Sequence, residues 1–158
     1  MCLKRLAGKS CIAICTCWNR PTTAQTFHGS DIAKWNLSDC AMSSEAFTAG
    51  RSGIFGAWET KKQVHFGSID PKTATATEVA AFNDAANQKY PALALNRDGR
   101  LLVSWTEGMG WKRGGSVHWQ LFDSEGKRIG GPGSAEGVPA WSLVAAYPQR
   151  NGNFVVLY

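Results

Sequence analysis

The chain has 158 residues, a single-domain length, and its 44% hydrophobic and 18% charged residues describe a globular chain rather than a disordered one. The formal net charge of +5 comes from 17 Lys and Arg against 12 Asp and Glu. The cations are scattered in singles and doublets such as Lys61–Lys62 and Lys112–Arg113, which argues against the concentrated basic stripe of a nucleic-acid binder, and no run approaches the roughly 18 apolar residues of a membrane-crossing helix.

The first quarter holds all five cysteines, at positions 2, 11, 15, 17 and 40. An odd number cannot form a complete intramolecular disulfide set. Cys11, Cys15 and Cys17 have no second Cys pair and no His at zinc spacing, so they read as free thiols, and neither a metal nor another cofactor is expected. Lys4, Arg5 and Lys9 precede "CIAICTCW", which imitates the charged start of a secretory leader. The apolar run is too short and no small-residue cleavage site follows, so no leader is assigned and the compartment stays open. Residues 1–34 are set apart as a segment whose stretches "SCIAICTCW" and "AQTFHGSDIAKW" have the form of strands that close a sheet begun elsewhere.

From residue 35 onward the chain repeats itself. "QVHFGSID" (63–70) returns as "SVHWQLFD" (116–123), each preceded by a tryptophan strand, "GIFGAWET" (53–60) and "GRLLVSWTEG" (99–108). A partial copy, "NGNFVVLY", occupies 151–158. Trp58, Trp105 and Tyr158 mark a period of about 40–50 residues, the spacing of a β-propeller blade built of four short strands. The 17 glycines and 7 tryptophans suit such a fold.

Within a repeat the turn chemistry divides the strands. "YPALALN" ends at the hairpin signal "RDG", and "RLLVSWTE" follows. "SVHWQLFD" alternates, with Val117, Trp119 and Leu121 on one side and His118, Gln120 and Phe122 on the other. A weak outer strand near "KRIGG" finishes the sheet. The next inner strand is expected to begin at "WSLVAAYP", turn at "QRNG" and return as "FVVLY". Residues 75–82 read as an outer strand, with a short helix as the alternative. The fold expected is thus all-β: a partial propeller of two to three four-stranded antiparallel blades, at about 43–82, 90–131 and 141–158. His65 and His118 fall at equivalent strand positions, which argues for scaffold rather than catalysis. Trp58, Trp105 and Trp119 are expected in the core.

The stretches "YPALALNRDGRLLVSWTEGMGWKRGGSVHWQLFDSEGKRIG" and "CAMSSEAFTAGRSGIFGAWETKKQVHFGSID" resemble blades of the sialidase-like, Asp-box propeller superfamily, over residues 35–158. The resemblance implies a six-bladed ring and a secreted or periplasmic parent. It also implies enzymes that hold a sialic acid carboxylate with three arginines, use a Tyr–Glu pair as nucleophile and an Asp as acid/base. This chain lacks an Arg-Ile-Pro motif and an intact Asp box. Arginines occur at 5, 20, 51, 97, 100, 113, 128 and 150, most of them in turns expected on the face away from the site. Fewer than three blades are present, so the chain reads as part of a longer propeller or as half of a homodimer.

The resemblance implies that a ligand would sit over the loops that join second to third strands and one blade to the next. The loop that is only "TKK" in the first repeat is expanded to "GMGWKRGG" in the second. It presents Trp111 as a flat face for a sugar ring, with Lys112 and Arg113 as donors to hydroxyls or a carboxylate. Glu136 and Trp141 belong to "SAEGVPAW" on the same face. Glu107, at the loop's root, is the candidate catalytic carboxylate. The leading expectation is a glycan-binding, sialidase-like segment without catalysis of its own. The alternatives are a glycoside hydrolase whose site is completed by further sequence or a partner, and a structural or protein-interaction propeller.

Overall fold

A computed structural model of the chain describes residues 10–17, 27–35, 45–51, 53–73, 75–79 and 87–158. These residues contain strands and turns and no helix. In chain order the strands are β1 (Ser10–Cys17), β2 (Phe27–Trp35), β3 (Ala46–Gly50), β4 (Gly53–Thr60), β5 (Gln63–Asp70), β6 (Thr75–Val79), β7 (Lys89–Leu95), β8 (Leu101–Glu107), β9 (Gly115–Phe122), β10 (Arg128–Val138), β11 (Ala145–Pro148) and β12 (Phe154–Leu157). Strands β3 to β6 form one four-stranded antiparallel sheet in sequence order, and β7 to β10 form a second. β11–β12 and β1–β2 are two-stranded. The expected outer strand at 75–82 is strand over 75–79, and the rest of it lies outside the described residues, as do Cys2 and Cys40.

One turn chemistry closes these sheets. Asn96 Oδ1 accepts from the backbone N–H of Asp98 at 3.0 Å and of Arg100 at 2.9 Å. Asp123 Oδ1 accepts from Glu125 at 3.0 Å and Lys127 at 2.8 Å, and Asn151 Oδ1 from Asn153 at 3.0 Å. Asp70 Oδ1 accepts from Lys72 N–H at 2.8 Å. The Asp that ends each copy of the eight-residue repeat is therefore a turn cap, replacing backbone partners that the bend leaves unpaired.

The repeat also fixes the register. Trp58 lies opposite His65, and Trp105 lies opposite His118. Both pairs stack, at ring separations of 6.5 and 6.0 Å. The expected alternation along β9 holds. Phe122 joins Leu101, Val103 and Trp105 in a core cluster with Ala57, Val64 and Phe66 of the first sheet. Val117 packs the other way, with Ala92, Met109, Val138 and Val144, and with Trp119, Ala146 and Val156 at the margin. The second sheet thus has an apolar layer on each face. Trp58 and Trp105 are buried as expected; Trp119 packs over Gly133 in the neighbouring strand, where a Cβ would overlap it, but is only partly buried because its ring also borders an open cleft.

Two strand boundaries differ from expectation. The outer strand of the second sheet is not a weak piece near 127–131 but the eleven-residue β10, which continues past a register shift between Ile129 and Gly133. Gly130 at φ 65° lets the strand break register and resume. The inner strand of the last hairpin starts at Ala145, not Trp141, because Trp141 has φ 69° and cannot sit in an extended strand.

Two outcomes follow. Phe66 and Phe122 meet across the sheets at 4.7 Å, so Phe122→Ala is expected to destabilise by about 3–5 kcal/mol in urea unfolding. At Asp70 the Lys72 N–H holds the carboxyl below its usual value of 3.8. A depressed folded value means that the turn's contribution is complete above pH 3.8 and is lost as the pH falls through the lower, folded value. The Asp70 carboxyl carbon, followed by NMR, should titrate with a midpoint below 3.8; a midpoint at or above it would contradict the cap.

Candidate functional site

An antiparallel meander sends alternate connections to opposite ends, and cross-sheet contacts establish which connections share an end. At one end, Asn96 Nδ2 donates to Gly152 O at 3.1 Å, joining the β7–β8 and β11–β12 turns. Arg97, Arg100 and Arg150 lie in or beside these turns. At the other end, Gln88 N–H donates to Lys62 O at 2.9 Å and its side-chain Nε2 to Glu107 Oε1 at 3.1 Å. This brings the Lys61–Lys62 turn, the start of β7 and the root of the β8–β9 loop together.

All six described non-glycine residues with positive φ lie at this second end: Lys61, Lys62, Asn87, Tyr90, Lys112 and Trp141. Left-handed backbone costs a side-chain-bearing residue of order 1–3 kcal/mol and persists where the surroundings over-determine it. What fixes it here is visible. Glu59 Oε1 accepts from Lys62 N–H at 2.9 Å inside the Lys61–Lys62 turn. The Trp111–Lys112 turn is closed by reciprocal backbone bonds of 3.1 Å between Gly110 and Arg113. Arg113 Nε donates to Gly108 O at 2.9 Å, tying the guanidinium to its own loop.

Below the loops lies a polar cluster. Gln88 is fully buried; its Oε1 accepts from Val64 N–H at 3.0 Å while Nε2 donates to Glu107. Glu107 Oε1 also accepts from Trp105 Nε1 at 2.8 Å. Glu107 Oε2 stands 3.5 Å from His118 Nε2, which shares a 2.8 Å hydrogen bond with Ser116 Oγ. Serine, histidine and glutamate are the parts of a hydrolytic triad, but serine and carboxylate here approach the same ring nitrogen. A relay needs the carboxylate on the other one. The cluster works instead as a clamp between sheets, in which Gln88 serves β5 and β8 through its side-chain amide and the turn between β4 and β5 through its backbone N–H.

Tyr90 stands nearby. Burial first, and then the charge of Glu59, raise its phenol above the ordinary 10. That keeps the hydroxyl protonated near neutrality, the opposite of what an activated phenolate requires.

The expected ligand residues divide into two sets. Trp111 and Trp141 come from separate connections and meet edge to face, with ring centroids 4.7 Å apart and planes at 86°. They remain 74% and 50% exposed. Lys112 and Arg113 are exposed beside Trp111. Glu136 is not on a loop: it lies within β10, exposed, opposite Ser116. The bulge that prolongs β10 moves it there. The close approach of the two connections depends on Gly114, where a Cβ would overlap the Val138 carbonyl. At Gly115 a Cβ would overlap the carbonyl of Glu107.

Sequence reading missed Gln88. In "DAANQKY" (84–90) a glutamine carries no mark of burial; only the fold brings it to Lys62, Val64 and Glu107. Among the described residues no three His, Cys, Asp or Glu side chains gather as a metal-ligand set. No helix among them is long and apolar enough to cross a membrane. No family model, curated protein or solved structure matches the chain.

Glu107→Ala strips an acceptor from both Gln88 and Trp105. It is expected to lower unfolding stability by about 2–4 kcal/mol, since two buried donors lose their partner. Glu107→Gln, which keeps an acceptor oxygen, should cost less than half of that in the same denaturant titration.

Proposed function

We propose that the chain is a propeller-type segment that binds acidic carbohydrate at the loop end, with Trp111 and Trp141 as the ring platform. The observation that carries this reading is the edge-to-face pair held in the open by two connections thirty residues apart in sequence. An exposed pair of large apolar rings is costly to keep in water unless something covers it. Perpendicular rings offer a sugar one flat face and one wall. Lys112, Arg113, Lys61 and Lys62 lie at the same end and add cationic donors suited to a carboxylate.

The repeated four-stranded sheets support a propeller, and the likeness of residues 35–158 to sialidase-like blades supports a glycan as ligand. A hydrolytic role for Glu107 is the weaker reading. Its carboxylate is taken up by Trp105 and Gln88, so it lacks the freedom that a proton donor at a glycosidic oxygen requires.

The test is a titration of the full chain with sialylated and neutral oligosaccharides, read by tryptophan fluorescence and calorimetry. Sialylated ligands should bind. Trp111→Ala, whose ring is exposed and not part of the core, should weaken them about tenfold, equivalent to about 1.4 kcal/mol. Equal binding by the variant and the parent, or no binding by either, would refute the platform.

A further inference from the structure

Arginines far apart in the sequence share one place in the repeat. "GRSG" (50–53), "NRDG" (96–99) and "QRNG" (149–152) join the first two strands of three successive sheets, and each has arginine second: Arg51, Arg97 and Arg150. The last two turns close alike, Gly99 N–H donating to Asn96 O at 3.2 Å and Gly152 N–H to Gln149 O at 3.1 Å. The fold sets the three side by side. Strands β3 and β11 both lie against β7. A Cβ on Gly50 would overlap the Leu95 side chain, and Asn96 Nδ2 donates to Gly152 O at 3.1 Å.

Arg51, Arg97 and Arg150 are exposed, as is Arg100 at the end of the middle turn. Among the described residues none of these four guanidiniums is held by an ion pair or a hydrogen bond. The three turns carry one carboxylate against them, Asp98, which lies beside Gly152. The outer turns at the same end are balanced: Asp70 with Lys72, and Asp123 and Glu125 with Lys127 and Arg128. The excess of positive charge is therefore confined to a row that crosses three sheets, at the end opposite Trp111 and Trp141.

We infer that this row docks an acidic segment of a partner protein, bound in the polyproline II conformation with a carboxylate at every third residue. The fit is one of period and charge. Packed sheets lie about 10 Å apart. A polyproline II chain advances about 3.1 Å per residue with three residues per turn, so every third side chain returns to one face after about 9.3 Å. A β-strand cannot match this, because its side chains alternate and every third one points away. Each guanidinium can grip a carboxylate by two parallel hydrogen bonds. Asp98 selects the class of partner. A nucleic acid or a sulfated polysaccharide is charged along its whole length and would be repelled there. A peptide bears N–H groups between its carboxylates, and Asp98 can accept from them. Single-stranded nucleic acid also calls for aromatic platforms between the cations, which the three turn sequences lack. The surface is separate from the tryptophan platform, and the inference does not rest on the carbohydrate reading.

The experiment is fluorescence anisotropy at low salt, with the full chain titrated into a labelled peptide of repeated Glu-Pro-Ala triplets and circular dichroism to check folding. The triplet peptide should bind. A peptide of the same composition with its glutamates in one block should bind more weakly, and a Gln-Pro-Ala peptide not at all. Arg97→Gln and Arg150→Gln, in different turns, should each weaken binding about two- to fivefold, the span of an exposed charge pair. Arg97→Lys, which keeps the charge and loses the fork, should recover only part of that loss. Lys89→Gln, an equal change of charge at the other end, should leave the affinity as it is. No binding by the parent overturns the inference. So do arginine variants that bind like the parent, a Lys89→Gln loss equal to theirs, or equal affinity for the block peptide. A heparin oligosaccharide or single-stranded DNA that binds more tightly than the triplet peptide through the same arginines overturns the class of partner.

Discussion

The structure depends on the β7–β10 sheet being apolar on both faces. Leu101, Val103, Trp105 and Phe122 face the first sheet, while Val117 and its neighbours face the β11–β12 hairpin. A sheet of this kind is stable only between two partners, because either face left in water would forfeit about 25 cal/mol for each Å² exposed. The stacking of sheet on sheet is thus imposed by strand patterning. It explains why the chain writes the same eight-residue pattern twice: equivalent strands must present equivalent faces to successive neighbours. The cross-strand Trp–His pairs are part of that pattern, which is why two histidines at matching positions belong to the scaffold.

Stacking meandering sheets separates the molecule's ends by chemistry. One end is closed by tight turns in which Asn96, Asp123 and Asn151 each cap backbone N–H groups within a few residues. Most of these bonds are local and close each turn within itself. The opposite end carries left-handed Lys, Asn, Tyr and Trp residues that no local glycine relieves. The Lys61–Lys62 and Trp111–Lys112 turns are closed by bonds within their own loops, and buried Gln88, next to left-handed Asn87, ties this end together by bonding to Lys62, Val64 and Glu107.

The legible part of this architecture was what period and turn chemistry encode. Strands β4, β5, β7, β8 and β9, the faces of β9 and the buried Trp58 and Trp105 all follow from alternation and the "RDG"- and "SEGK"-type turns. Illegible were features fixed by register. The bulge at Gly130 prolongs β10 and carries Glu136 off the loop and into a strand, and no periodicity announces a register shift. Trp141 sits before an apolar run and so reads as strand, yet its positive φ makes it a loop residue. The same backbone turn allows its ring to meet Trp111. Gln88 was invisible because burial of a lone amide depends on partners 24 and 19 residues away.

The tryptophan pair shows how far the loop end relies on the sheets beneath it. Trp111 stands on a two-residue turn with Lys112 left-handed, and Trp141 is itself left-handed. Neither conformation is favoured by its own residue. The connections meet because Gly114 leaves bare backbone against the Val138 carbonyl, and Val138 is pinned in the core with Met109 and Val117. Met109 belongs to the Trp111 loop and Val138 ends the strand leading to Trp141, so one buried contact orients both rings. A change in that layer, far from any exposed ring, would displace the platform as effectively as removing a tryptophan. The platform is in this sense a property of the inter-sheet core, carried to the surface by two short connections.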